Sequence, residues 1–281
     1  MLAKGFRDPR RRHPGQQTLD PDIARYLRSC RDSDPAPKPQ QALPAKTVRL
    51  IQESYGSSAD PHQEVTGNLI VLAFFFLLRV GEYTPTSPGP NRPPRRTVPL
   101  RKGDVTLYRN GTVLSPEAPL EALKEATGVR LNIENQKNGQ KGATLYHTAT
   151  GEAFCPVVAA AILLYRIRGL PADTPLGTHS SGNGRVQRVT AQEIRQAIRH
   201  AARYDRLETQ GYDLARIGSH SLRSGGAMAL KLAGYDEATI KKLGRWSSDT
   251  YLVYIQSQIA NLTSGLARAM ARTNMTLQWH A

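Results

Sequence analysis

Cysteine is almost missing from this 281-residue chain, which has only Cys30 and Cys155, far apart in sequence. That excludes a disulfide framework and a zinc site built on paired cysteines, and it fits a reducing, intracellular compartment. Long apolar runs are missing too: the longest, Leu69 to Leu78, is too short to span a bilayer. The N-terminal "MLAKGFRDPRRRHPG" has basic residues but no apolar segment behind them, so neither export nor a membrane anchor is indicated. The sequons at Asn110, Asn261 and Asn274 therefore read as chance. Acidic residues are few and scattered, whereas polymerases and most nucleases cluster carboxylates around two metal ions. There is no HExxH, no P-loop and no Cys/His ligand spacing, and "SGNGRV" lacks the last glycine of a dinucleotide loop. No metal, nucleoside triphosphate or redox cofactor is expected.

What the chain has in excess is positive charge. Thirty-eight Lys and Arg stand against 23 Asp and Glu, a formal net charge of +15. A nucleic acid is the partner that such a balance favours. Apolar residues make up 39% of the chain, enough for a buried core and more than a solvated basic tail contains. Arg92, Arg95, Arg96, Arg101 and Lys102 fall in or beside the loop "TPTSPGPNRPPRRTVPLRKGD", and Arg185 and Arg188 lie further on. These are candidate phosphate contacts, which would position a duplex without reading its sequence. Taken singly, most of them read better as solvated charges.

Residues 1–37 are rich in Arg, Asp and Pro, with one short helical stretch, "DPDIARYLRSC", and read as an N-terminal remnant or linker. The substantial domain runs over 38–281. Its segment "EVTGNLIVLAFFFLLRVGEY" is apolar on every face, which predicts a buried helix closed by Arg79. Two β-like runs follow, "VTLYRNGTVL" and "VRLNIENQKNGQKGATLYH", each with an Asn-Gly pair that predicts a hairpin turn. Helical periods return in "CPVVAAAILLYRIRG", "TAQEIRQAIRHAARY", "SHSLRSGGAMALKLAG" closed by Gly234 and "DEATIKKLG" closed by Gly244. A last segment carries Ile255, Ile259, Leu262, Leu266 and Met270 as one stripe. The expected fold is mainly α with a small antiparallel β-sheet.

A basic chain with no metal or nucleotide motif can still act on a phosphodiester if cationic side chains stabilise the transition state and a side-chain hydroxyl attacks. In "SHSLRSGG", His220 and Arg223 are three residues apart and would project from one helix face. Alone, such a pair is commonly a surface feature. In "GRWSSDTYLVYIQ", Tyr251 and Tyr254 stand three residues apart beside Trp246, and either could be a reagent or packing.

The stretch "HSLRSGGAMALKLAGYDEATIKKLGRWSSDTYLVYI", with "LLRVGEY" upstream, resembles the signature of the tyrosine recombinase and phage integrase family. Within it the wording is most similar to recombinases of DIRS-type and related eukaryotic mobile elements. The resemblance covers the chain from about Lys38 onward and implies the tyrosine recombinase catalytic-domain fold. It implies that Arg79 and Arg223 clamp the scissile phosphate, that Glu82 supports Arg79 from behind, and that His220 accompanies Arg223. Trp246 stands where related members have histidine or tryptophan; its indole only donates, so His220 is the better general-base candidate. Tyr254, eight residues after Trp246, would be the nucleophile and Tyr251 a packing residue. The resemblance also implies a hairpin lysine as general acid: Lys137 fits the related elements better, and Lys141 remains open. The tryptophan-to-tyrosine spacing is one residue shorter than in bacterial and phage members.

The resemblance thus implies a metal- and ATP-independent site-specific DNA recombinase that acts on double-stranded DNA through a 3′-phosphotyrosine intermediate, without a cofactor or a membrane. It would be nuclear if the source is eukaryotic. A homo-oligomer, a tetramer on DNA joined through the C-terminal helix, is expected, though the same apolar stripe suits packing on its own domain. Residues 1–37 are too few for the family's complete core-binding domain, which leaves a fragment or a shortened protein as expectations. An idle DNA-binding derivative and a type IB topoisomerase-like activity are the alternatives, and the order His-x-x-Arg and the "GRW" wording count against the latter.

Overall fold

The computed structural model describes residue 25 and residues 40–85, 97–135, 141–180 and 184–246, with the side chains of Asn135 and Lys141 not described. The chain divides into two units, Met1–Lys38 and Pro39–Ala281. The fold below is that of the second.

Helix α1 (Ala45–Ile51) buries Val48 and Ile51 and passes into one π-helical turn, Gln52–Gly56. Helix α2 (Pro61–Phe75) begins at Asp60, whose carboxylate accepts from the His62 N–H, with proline at the first helical position. It is buried from Val65 through Phe74 and is the central element of the core. Its approach to the preceding turn depends on Gly67, since a Cβ there would lie 2.4 Å from the Gly56 nitrogen.

The apolar pattern predicts a helix continuing to Arg79, but α2 stops at Phe75. Leu77 takes a left-handed backbone (φ 49°), uncommon for a side chain of its bulk. Arg79 follows in extended conformation and opens a short 3₁₀ turn, Val80–Glu82. Arg79 is therefore carried on a turn beyond the helix, and hydrophobicity alone could not mark that break.

Strands β1 (Val105–Arg109), β2 (Thr112–Val113), β3 (Gly128–Asn135) and β4 (Lys141–Thr148) form an antiparallel sheet in the order β2-β1-β3-β4. Asn110 and Gly111, both at positive φ, make the tight turn between β1 and β2 that the Asn-Gly pair predicts. The second such pair, between β3 and β4, lies outside the described residues. Alternation sends Val105, Leu107, Val129, Leu131, Ile133 and Leu145 inward, and the sheet packs on helix α4 (Pro156–Arg166). The short helix α3 (Leu120–Lys124) also packs on α4. Two short strands, β5 (Thr178–Ser180) and β6 (Val186–Arg188), pair antiparallel.

Helix α5 (Ala191–Tyr204) starts with a capping box between Thr190 and Glu193. Helix α6 (Ser219–Leu232) carries the two glycines of "LRSGGA" against other backbone: a Cβ on Gly225 would be 2.2 Å from the Leu43 carbonyl oxygen, and one on Gly226 2.4 Å from that of Phe74. Gly226 thus lets α6 close on the C-terminal end of α2, and Gly225 lets it close on the segment before α1. Gly234 follows α6 at φ 86°, as the sequence predicts. Helix α7 (Glu237–Gly244) is capped by Asp236. Its left-handed closing residue is Arg245 (φ 55°), whereas the sequence suggests Gly244. Gly244 is required for a different reason, because a Cβ there would fall 1.7 Å from the Trp246 ring.

The described chain is mainly helical with small antiparallel sheets, as its sequence predicts. Among the described residues no helix is long and apolar enough to cross a membrane. The C-terminal stripe from Ile255 onward and the stretch "DPDIARYLRSC" fall outside the description, apart from Arg25.

Candidate active site

Where α2 ends and α7 ends, three arginines gather, two of them on one carboxylate. Glu82 is fully buried. Its Oε1 accepts from Nη1 of Arg79 at 3.1 Å, and its Oε2 accepts from the Arg79 backbone N–H at 2.8 Å and from Nη2 of Arg245 at 2.8 Å. The Arg79 side chain is 20% exposed and its Nη2 also donates to the Arg245 carbonyl at 3.4 Å.

Arg223, on α6, is 1% exposed. Its Nη1 donates to the Leu77 carbonyl and its Nη2 to the Gly244 carbonyl, and its guanidinium carbon lies 4.1 Å from the centroid of the Trp246 ring. The left-handed turn at Leu77 leaves its carbonyl accepting from two arginines, since Arg245 Nη2 reaches the same oxygen at 3.2 Å. Leu77 therefore ties the "LLRVGEY" segment to both "HSLR" and "GRW".

The sequence does not single out Arg245. It is quoted in the "GRW" motif, but a left-handed residue in that place is ordinarily glycine or asparagine. Its side chain is 4% exposed, and its Nε and Nη1 meet no acceptor among the described residues. Burial pulls its pKa below the usual arginine range; Glu82 opposes that shift and the neighbouring Arg79 adds to it. Three guanidiniums and one carboxylate leave the cluster with excess positive charge, the electrostatics of an anion site. Beside it, burial and then the charge of Glu82 raise the Tyr83 hydroxyl above the usual tyrosine range, so Tyr83 is held neutral.

His220 lies one turn before Arg223 on α6, half-buried, as the three-residue spacing requires. The structure thus brings together Arg79, Glu82, Arg223 and Trp246, places His220 one helical turn from Arg223, and adds Arg245. Lys137, Tyr251 and Tyr254 lie outside the described residues, as do Arg92, Arg95 and Arg96; of Lys141 only the backbone, as the first residue of β4, is described.

The remaining basic residues are elsewhere. Arg101 pairs with Asp104 at 3.2 Å and with Glu134. Lys102 is buried, paired with Glu117, and donates to the Leu170 carbonyl at 2.8 Å, which engages its ammonium inside the fold. Arg185 and Arg188 are exposed at β6. Among the described residues no group of three or more His, Cys, Asp or Glu is placed to hold a metal ion.

No protein-family model matches this chain, and no curated protein matches it in sequence. Solved structures do match. The XerA recombinase crystal structure is similar at a TM-score of 0.50 with 15% identity, over 90% of this chain and 74% of XerA. XerH recombinase bound to its palindromic difH substrate in a post-cleavage complex gives 0.49 and 14%, over 83% of this chain and 54% of XerH. A lambda integrase dimer bound to a COC′ core site gives 0.45 and 13%, over 99% of this chain and 74% of that one. The helical body, the small antiparallel sheet and the likeness to XerA together give this chain the tyrosine recombinase catalytic-domain fold.

Proposed function

We propose that this chain is a site-specific DNA recombinase or integrase of a mobile element, similar in wording to the DIRS-type elements, that cuts and rejoins DNA through a 3′-phosphotyrosine intermediate. The observation that carries this reading is the convergence of Arg79 and Arg223, distant in sequence, on one small site with Glu82 and Trp246. Guanidinium forks suit a phosphate that gains charge as it becomes five-coordinate. XerA, whose fold the chain shares, is itself a recombinase.

In the proposed step the Tyr254 Oη attacks the scissile phosphorus and its proton passes to His220. The bond to the 5′-oxygen breaks, and that oxygen takes a proton from Lys137, with Lys141 as the alternative donor. A tyrosine hydroxyl with a pKa of about 10 needs both the arginine field and a base to do this near neutrality. The products are a 3′-phosphotyrosyl bond and a free 5′-hydroxyl. The phosphotyrosyl linkage conserves the energy of the broken diester, so a hydroxyl from a partner strand reverses the step without ATP or metal. Double-stranded DNA is the substrate, and assembly into a tetramer through the C-terminal helix belongs to the same reading.

A second reading rests on the depth of Arg223. At 1% exposure, with its guanidinium engaged by the Leu77 and Gly244 carbonyls, it favours a DNA-binding derivative with an idle centre. Trapping of the chain on a nicked suicide duplex separates the two: covalent protein–DNA adducts support the recombinase, and salt-sensitive binding without adducts supports the derivative.

A further inference from the structure

We propose that Arg245 is a positioning residue of this site: it neutralises the inner oxygen of Glu82 and so keeps the Arg79 guanidinium available to an incoming phosphate. The inference rests on the phosphoryl-transfer reading above and assigns a role to a residue outside the motif's recognised arginines.

Glu82 has no exposed surface, and a carboxylate so placed needs cationic partners. Two guanidiniums share it. Arg245 takes Oε2 at 2.8 Å, while Arg79 reaches Oε1 through a single nitrogen at 3.1 Å. Of the three arginines in the cluster, Arg79 has the most exposed side chain. Without Arg245, the Oε2 side of the carboxylate would keep only the Arg79 backbone N–H at 2.8 Å. The Arg79 fork would then close on Glu82 in the two-bond geometry that arginine and carboxylate prefer, withdrawing its donors from a ligand.

Two further observations describe how Arg245 sits in the site. Its Nε and Nη1 are buried without acceptors among the described residues, a cost that a neutral side chain in the same place would avoid. It also holds the left-handed backbone position after α7, which puts its carbonyl within 3.4 Å of Arg79 Nη2, a second link to the same guanidinium.

The test is the affinity of the full chain for inorganic phosphate, measured by calorimetric titration, in the wild type, R245Q, R245K and the E82Q/R245Q double variant, with folding checked by circular dichroism. R245Q should bind phosphate about tenfold or more weakly, the size expected for losing a charge-assisted contact. The double variant, which has no carboxylate left to claim Arg79, should recover to within about threefold of wild type. A purely structural role would not give that recovery. If R245Q does not fold, R245K and the double variant carry the comparison: R245K keeps a charge on Glu82 and should also stay within about threefold of wild type. Phosphate affinity equal in wild type and R245Q overturns the proposal. So does a double variant no better than R245Q, a folded R245K that loses about tenfold, or a wild type that binds no phosphate. Phosphate binding needs neither DNA nor Tyr254, so failure to trap DNA would leave this comparison standing, and its failure would leave the trapping test standing.

Discussion

Arg223 and Trp246 are stacked, the guanidinium carbon 4.1 Å from the ring centroid, so α6 is joined to the first residues after α7 by a cation–π contact. Such contacts contribute about 2 kcal/mol when desolvated. W246A should lower stability by about that amount and W246F by roughly half, read from urea denaturation midpoints at unchanged slope. Equal stability of W246A and wild type would mean that the stack contributes nothing.

The glycines before Ala227 give a sharper test of how the site is assembled. G225A and G226A would drive a methyl group into the Leu43 and Phe74 carbonyl oxygens, and backbone cannot move aside as a side-chain tip can. Each should destabilise by about 3 kcal/mol or more. G234A, at φ 86° with open space around its Cβ, should cost only about 1 kcal/mol from backbone strain. Thermal melts of the three variants give the order directly.

Much of this was legible in the sequence. Periods and breakers place α4, α5 and α6, and the Asn110-Gly111 pair places a hairpin turn. The three-residue spacing puts His220 and Arg223 on one helix. The end of α2 was not legible, because the apolar pattern runs unbroken past Phe75 and only tertiary packing sets Leu77 in a left-handed conformation. The same packing hid Arg245: nothing in a basic residue between glycine and tryptophan signals a buried contact to Glu82. Lys102 reads as one more loop cation until Glu117 and the Leu170 carbonyl are seen to hold it.

Arg79 and Arg223 should separate activity from stability. R79A leaves Glu82 paired with Arg245, so it should fold while covalent DNA trapping falls by about 10²–10³, the loss expected for one transition-state donor. R223A leaves the Leu77 and Gly244 carbonyls without those donors in a buried place and should lower stability by about 3 kcal/mol as well. Trapping rates normalised to folded protein, with melts alongside, distinguish the two outcomes. Wild-type trapping by folded R79A would remove Arg79 from the chemistry.

Stability should also fall in mild acid. Burial holds the His147 imidazole below its ordinary pKa of 6.5, and its Nε2 lies 2.8 Å from the Phe75 carbonyl oxygen. The unfolded chain therefore takes up this proton first as pH drops, so the stabilisation is complete above about pH 6.5 and is lost below it until the folded protein is protonated too. His179 is shifted the same way, by burial and then by His62, whose Nδ1 is 3.2 Å from its Nε2. H147Q should flatten the acid slope of the melting temperature without abolishing it. An unchanged slope would place the sensitivity elsewhere.

The proposed recombinase acts through covalent attack by Tyr254. A pooled library of suicide duplexes, nicked so that the 5′-hydroxyl fragment escapes, should be offered to wild type, Y254F and Y251F, and protein trapped on DNA read by denaturing gel. Trapping by wild type and Y251F, lost in Y254F, is the predicted result, and the trapped DNA would then report the target site. Trapping that survives in Y254F and fails in Y251F, or wild-type binding with no adduct, would contradict it.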